Sequence, residues 1–143
     1  MAEVFHWMKV RIFCYATEDQ EKLHDLMRRI SGKEDFDAEM SDGHHGNSMI
    51  ILSAELKRDG ECRDLFKRLG NDAVTYILTN LSERIDDDCT FHLRLDKQAA
   101  VQESYKIAHH GDVVSITCKI ASHPARKDIA EANMRNFLEG LLL

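Results

Sequence analysis

No stretch of this sequence stays apolar for anything near the roughly 20 residues a bilayer requires, so no membrane span is expected. Nor does the acidic, aromatic N-terminus carry the charged-then-apolar order of a secretory signal, which predicts a soluble, cytoplasmic protein with no membrane partner. Cysteine is sparse and scattered: Cys14, Cys62, Cys89 and Cys118 form no C-x-x-C pair and have no histidine at finger-like spacing, which disfavours zinc. Each lies among apolar or strand-like neighbours, so buried free thiols are expected. The sequence also lacks G-x-S-x-G, a P-loop, H-E-x-x-H and a Rossmann fingerprint. Accordingly no catalytic residue, cofactor or metal site is assigned. Internal repeats and low-complexity segments are missing too, and nothing marks a linker.

What is present suits one folded unit. Hydrophobic residues make up 43% of the chain and charged residues 31%, enough apolar side chain to offset the entropy lost on ordering residues 1–143 as a single domain. Residues 4–15 read as a long first strand, with Met8, Val10, Ile12 and Cys14 alternating with Trp7, Lys9, Arg11 and Phe13. Thr17, with Gln20 three residues later, predicts an N-cap. Leu23, Leu26, Met27 and Ile30 then form the buried stripe of a helix closed by Gly32. A short edge strand over 34–40, a loop, and a strand over 49–56 follow. Residues 60–85 carry the three-and-four spacing of one long amphipathic helix, with Gly70 as a bend. Asp86, Asp87 and Asp88 make a solvated turn; a calcium loop is the alternative, but the alternating ligands and glycine of an EF-hand are missing. Residues 90–95 and 113–121 alternate as half-buried strands, the second stopped by Pro124. Asp96 caps a short helix over 97–103, and 127–143 form a terminal helix. This order predicts an α+β fold, an open and mainly antiparallel sheet with helices packed on one face.

The net charge of −6 argues against a nucleic-acid partner, since phosphate binding needs positive surface. Its distribution is uneven, however. Residues 89–127 hold six bases and three acids, a local +3, while the other 104 residues hold 22 acids and 13 bases. One-faced phosphate binding has this signature, and so does chance clustering.

If the apolar faces of the three best strands all turn to the helices, then Lys9, Arg11, His92, Arg94, Ser115, Thr117 and Lys119 share the opposite surface. Arg and Lys contact phosphates, hydroxyls bond sugar or phosphate, and Trp7 or Phe13 stacks on an unpaired base. An ordinary solvated face is the plain alternative, because strand order is not visible in the sequence. The loop Gly43-His44-His45-Gly46-Asn47 offers imidazoles to a metal or glycine N–H groups to an anion. With no third ligand nearby it is read as a structural turn. His109-His110-Gly111 is read the same way, and Cys14 as a core thiol rather than a nucleophile.

Four segments, in order, carry a resemblance: Ala-Thr-Glu-Asp at 16–19, Gly-His-His-Gly-Asn at 43–47, Leu-Arg-Leu-Asp-Lys-Gln-Ala-Ala at 93–100, and Gly-Asp-Val-Val-Ser-Ile-Thr-Cys-Lys-Ile at 111–120 with Pro124. Together they resemble an archaeal family of small RNA-binding proteins associated with the exosome or RNA processing. That family is similar in fold to the large-subunit ribosomal protein that binds 5S ribosomal RNA. The resemblance implies RNA binding without catalysis, with RNA and exosome or other RNA-processing proteins as partners. The sequence departs from many relatives at Ser48, where they place a proline. The expected RNA contacts are Lys9, Arg11, Arg94, Lys97, Lys119, Arg126 and Lys127. From another class, the alternative is a protein-interaction or assembly module, a homo-oligomer included, docking through a sheet edge or the apolar tail Leu141-Leu142-Leu143.

Overall fold

The computed structural model describes residues 3–42 and 48–143, so the loop with His44 and His45 lies outside the described residues. In β1 (Phe5–Tyr15) the alternation sends Met8, Val10, Ile12 and Cys14 to one side, where all are buried, and Lys9 and Arg11 to the other, where both are exposed. β1 is the middle strand of a sheet that it builds with β2 (Asp37–Asp42), β3 (Ser48–Leu56), β4 (Thr90–Asp96) and β5 (Val113–Ile120). The strand order is β2-β3-β1-β5-β4, and every neighbouring pair is antiparallel.

Helices α1 (Gln20–Ser31), α2 (Asp59–Leu69), α3 (Asn71–Thr79), α4 (Lys97–Val101) and α5 (Lys127–Leu141), with a 3₁₀ turn at Leu81–Arg84, complete the α+β fold. Their apolar stripes meet the buried face of the sheet in one core cluster. Four rings tie its layers: Phe5 of β1 stacks on Phe66 of α2 at 5.4 Å and meets Phe137 of α5 edge-on at 5.5 Å, and Phe66 reaches Phe91 of β4 at 5.8 Å. None of the helices is long and apolar enough to cross a membrane among the described residues. Leu141 and Leu142 pack against the core, which leaves Leu143 as the exposed end of the expected apolar tail.

Two local expectations are corrected. The cap of α1 is Asp19, not Thr17: its carboxylate accepts the N–H groups of Glu21 and Lys22, while residues 15–18 close a turn through Glu18 N–H to Tyr15 O at 2.9 Å. The long helix over 60–85 is divided. Gly70 takes φ +90° and ψ 169°, a conformation open essentially to glycine alone, and α3 restarts at Asn71.

Asp59, at the first turn of α2, fastens that helix to the beginning of β1. Its Oδ1 accepts the N–H groups of Val4 and Phe5 at 2.8 Å each, and Oδ2 accepts from Arg63 Nε at 2.5 Å. Burial alone would raise this carboxyl, but the two backbone donors and Arg63 outweigh it and hold it below the ordinary carboxylate range.

Gly70→Ala is expected to cost about 1–3 kcal/mol in denaturant unfolding through backbone strain, because a Cβ there meets nothing within 4 Å. The depressed Asp59 carboxyl contributes stability that is complete above an unfolded value of about 3.9 and is lost as pH falls through the folded value. Asp59→Ala should therefore lower Tm most at neutral pH, with the gap to the parent protein closing on acidification.

Candidate nucleic-acid interface

The register of the three adjoining strands builds the open face rung by rung. Trp7 lies across from Lys119, which lies across from Thr90. Lys9 is paired with Thr117, and Thr117 with His92. Arg11 is paired with Ser115, and Ser115 with Arg94. With strands about 4.8 Å apart, these rungs put cations and hydroxyls side by side on the face away from the helices. Four of the expected contacts, Lys9, Arg11, Arg94 and Lys119, are brought together in this way.

On the other half of the same face the charge reverses. Glu55 of β3 stands across from Lys9, Asp37 of β2 across from Ser53, and Glu39 across from Ile51. The open face is thus cationic over β1, β5 and β4 and acidic over β2 and β3. Among the described residues no carboxylate is within ion-pair distance of Lys9, Arg11, Arg94 or Lys119. Lys119 Nζ donates to Asp88 O, Arg94 Nη1 to His109 O at 3.0 Å, and the Arg11 guanidinium sits 5.6 Å from the Phe13 ring. Each keeps donors free for phosphate.

Aromatic rings punctuate the same face. Trp7 and Phe13 are half-buried, and Tyr15 is 44% exposed. Trp7 and Phe13 are six residues apart on one strand, a separation of about 20 Å at the rise of a β-strand. Beside them His92 Nε2 meets Asp86 Oδ2 at 3.0 Å. That contact, followed by the N–H groups of Thr90 and Asp88, outweighs a desolvation effect and holds the Asp86 carboxyl below its ordinary range.

Lys97 is corrected. It is fully buried, its Nζ 2.7 Å from Glu18 Oε1, 2.8 Å from Asp112 Oδ1 and 2.6 Å from Phe13 O, and it lies 4.8 Å from the Tyr15 ring centroid. An ammonium so enclosed has no donor left for a phosphate. Arg126 and Lys127 sit where α5 begins rather than on the strands, and Arg126 pairs with Asp128 at 2.9 Å. Asp96 is the cap expected of it, accepting from the N–H groups of Gln98 and Ala99. The thiols belong to the core: burial pushes Cys62 up to about 12 and raises Cys118, and burial followed by Glu18 raises Cys14, so all three stay protonated at neutral pH. Two residues stand near Arg94 because only the fold carries them to the edge of β4: Arg84, which the sequence reading does not single out, and His109, which enters it only as part of a structural turn.

An α+β sheet clothed on one side, with a cationic and aromatic open side, is the architecture of a one-faced polyanion-binding domain. The chain belongs to a family described as RNA binding, whose model matches residues 7–120. It is similar to an RNA-binding protein of Pyrococcus abyssi, 27% identical with 94% of each chain covered. A solved DUF54 protein of Methanothermobacter thermautotrophicus superposes with a TM-score of 0.80 at 27% identity, over 95% of this chain and 99% of that one. A DUF54 protein of Sulfolobus solfataricus, 19% identical, shares the fold with a TM-score of 0.69 over 91% of this chain and 98% of its own.

Replacing the buried ammonium leaves Glu18 and Asp112 facing each other unpaired. Lys97→Met should cost about 3 kcal/mol, the low end for breaking a buried ion pair, since both carboxylates keep some access to water. Thermal unfolding checks it; a Tm within a degree or so of the parent would show Lys97 dispensable to the fold.

Proposed function

We propose that this chain is a non-catalytic RNA-binding accessory protein that lays single-stranded RNA across β1, β5 and β4. Lys9, Arg11, Arg94 and Lys119 meet phosphates, the Ser115 and Thr117 hydroxyls meet sugar or phosphate, and Trp7 and Phe13 offer rings to unpaired bases. The observation that carries this is the register, which sets three rungs of cations and hydroxyls on adjacent strands. A single strand is favoured over a duplex because stacking on a protein ring needs a base free of its partner. The acidic half over β2 and β3 bounds the track on one side.

Exosome or other RNA-processing proteins are the partners that the family resemblance suggests, and an accessory role suits a surface built to hold rather than to cut. The assembly-module alternative has less support from the apolar tail, because Leu141 and Leu142 are partly buried against the core and Leu143 alone of the three is fully exposed.

Labelled single-stranded and hairpin RNA titrated by fluorescence polarisation at several salt concentrations tests the proposal. Four phosphate contacts on a single strand give a slope of about −3 in log Kobs against log salt, from ~0.7 per contact. Arg11→Gln and Lys119→Gln should each flatten that slope by about 0.7 without moving Tm. The chain has one tryptophan, so quenching of its emission reports stacking at Trp7 directly. Binding that fails to saturate, or a slope indifferent to these substitutions, overturns the proposal.

A further inference from the structure

β4 is the last strand of the sheet, and its free edge is covered only at its ends. At one end Asp86 N–H bonds Thr90 O at 3.0 Å and Asp86 Oδ1 accepts the Thr90 N–H at 3.0 Å. At the other, Ala108 N–H bonds Arg94 O and Asp96 N–H bonds Lys106 O, both at 2.8 Å. A cleft of about 290 Å³ opens between these two flaps. Parity in the β4–β5 ladder turns the N–H groups of His92 and Arg94 toward it. The antiparallel bridge of Ile85 with Phe91 sets the Arg84 carbonyl opposite the His92 N–H, whereas among the described residues the Arg94 N–H has no acceptor.

Basic side chains converge on this cleft from three elements. Arg84 comes from the 3₁₀ turn, His92 and Arg94 from β4, and His109 from the segment that follows α4. Two acids, Glu83 and Asp86, share the lining. Asp86 is already engaged by His92 and by the N–H groups of Asp88 and Thr90. Arg84 gives its Nε to Asn80 Oδ1 at 2.9 Å, and its terminal nitrogens have no partner among the described residues. Burial lowers the Arg84 pKa and outweighs the opposing pull of Tyr76 and Glu83, as expected of a guanidinium partly drawn out of water without a carboxylate in ion-pair contact. Arg94 is pinned through Nη1 to His109 O, so its remaining donors have a fixed position.

We propose that this cleft is an anion pocket that receives the terminal phosphate of an RNA strand lying on the open face. It rests on the assignment of that face to RNA. Arg94 belongs both to the Arg11–Ser115 rung and to the cleft wall, so a strand crossing β1 and β5 leads into the pocket. The two flaps stand on either side, and the cleft has the size of a small-ligand site. A terminal phosphate ends there, bringing a second negative charge and unsubstituted oxygens to two guanidinium groups and the Arg94 edge amide.

One single-stranded RNA prepared with a 5′-phosphate, with a 3′-phosphate, or with hydroxyls at both ends separates the outcomes in polarisation titrations. One phosphorylated form should bind about tenfold more tightly than the hydroxyl form, the equivalent of one added charge-assisted contact. Arg84→Gln should erase that advantage and leave the affinity of the hydroxyl form unchanged. If Arg84→Gln fails to fold through loss of the Asn80 contact, His109→Gln serves as the second variant. Equal affinity for all three RNAs overturns the pocket and spares the RNA face. If none of them binds, the RNA face is overturned, and inorganic phosphate against chloride at equal ionic strength decides the pocket: saturable shifts of the His92 and Arg94 amide resonances support it, and their absence removes it.

Discussion

Side chains on a β-strand alternate, so clothing one face of the sheet with helices obliges every second residue of β1, β4 and β5 to look outward. The inward set is uniformly apolar: Met8, Val10 and Ile12 on β1, Phe91, Leu93 and Leu95 on β4, Val114, Ile116 and Cys118 on β5, all buried. Water on the opposite side would be satisfied by any polar residues. What stands there instead is a mixture of cations, hydroxyls and rings. Because the strands are paired on both edges of β1, a one-residue slip in register would exchange the two sets and bury Lys9 and Arg11. The core and the open face are therefore held by the same register.

Lys97 shows how an ionic contact can serve that arrangement without touching a ligand. Its ammonium gathers the end of β1 through Phe13 O, the turn before α1 through Glu18, and the segment before β5 through Asp112. Removing an ammonium from water is costly unless its hydrogen bonds are met, and here three oxygens and the face of Tyr15 meet them. Glu18 and Asp112, engaged by Lys97, make no ion pair with the exposed cations of the open face.

Charge that looks adverse when averaged over the chain is separated in space. Acidic residues occupy β2 and β3, which are neighbours, and the bases of the face occupy β1, β5 and β4, which are neighbours as well. Within a Debye length of roughly 8–10 Å an approaching phosphate responds to the local group rather than to the net charge. The acids on β2 also discourage edge-to-edge pairing with another chain.

Much of this was legible from local pattern alone. The alternation of β1, β4 and β5, the Asp96 cap and the placing of helices against one face follow from the two-residue period of a strand and the helical spacing of Leu, Met and Ile, which depend on near neighbours only. The failures were of two kinds. Thr17 and Asp19 are both good caps, and the choice fell to Asp19 because Tyr15 and Glu18 close a turn ahead of it. Lys97 read as a free cation because Glu18, its partner, is 79 residues away. Arg84 and His109 stand near Arg94 for a similar reason: chain beyond each end of β4 folds back along its edge. By itself, then, the sequence determined which side chains of a strand share a face, a matter of backbone geometry within a few residues. Which strands lie side by side, and hence whether the cations form one surface, was decided only in the tertiary structure, where burial of the common core sets the order.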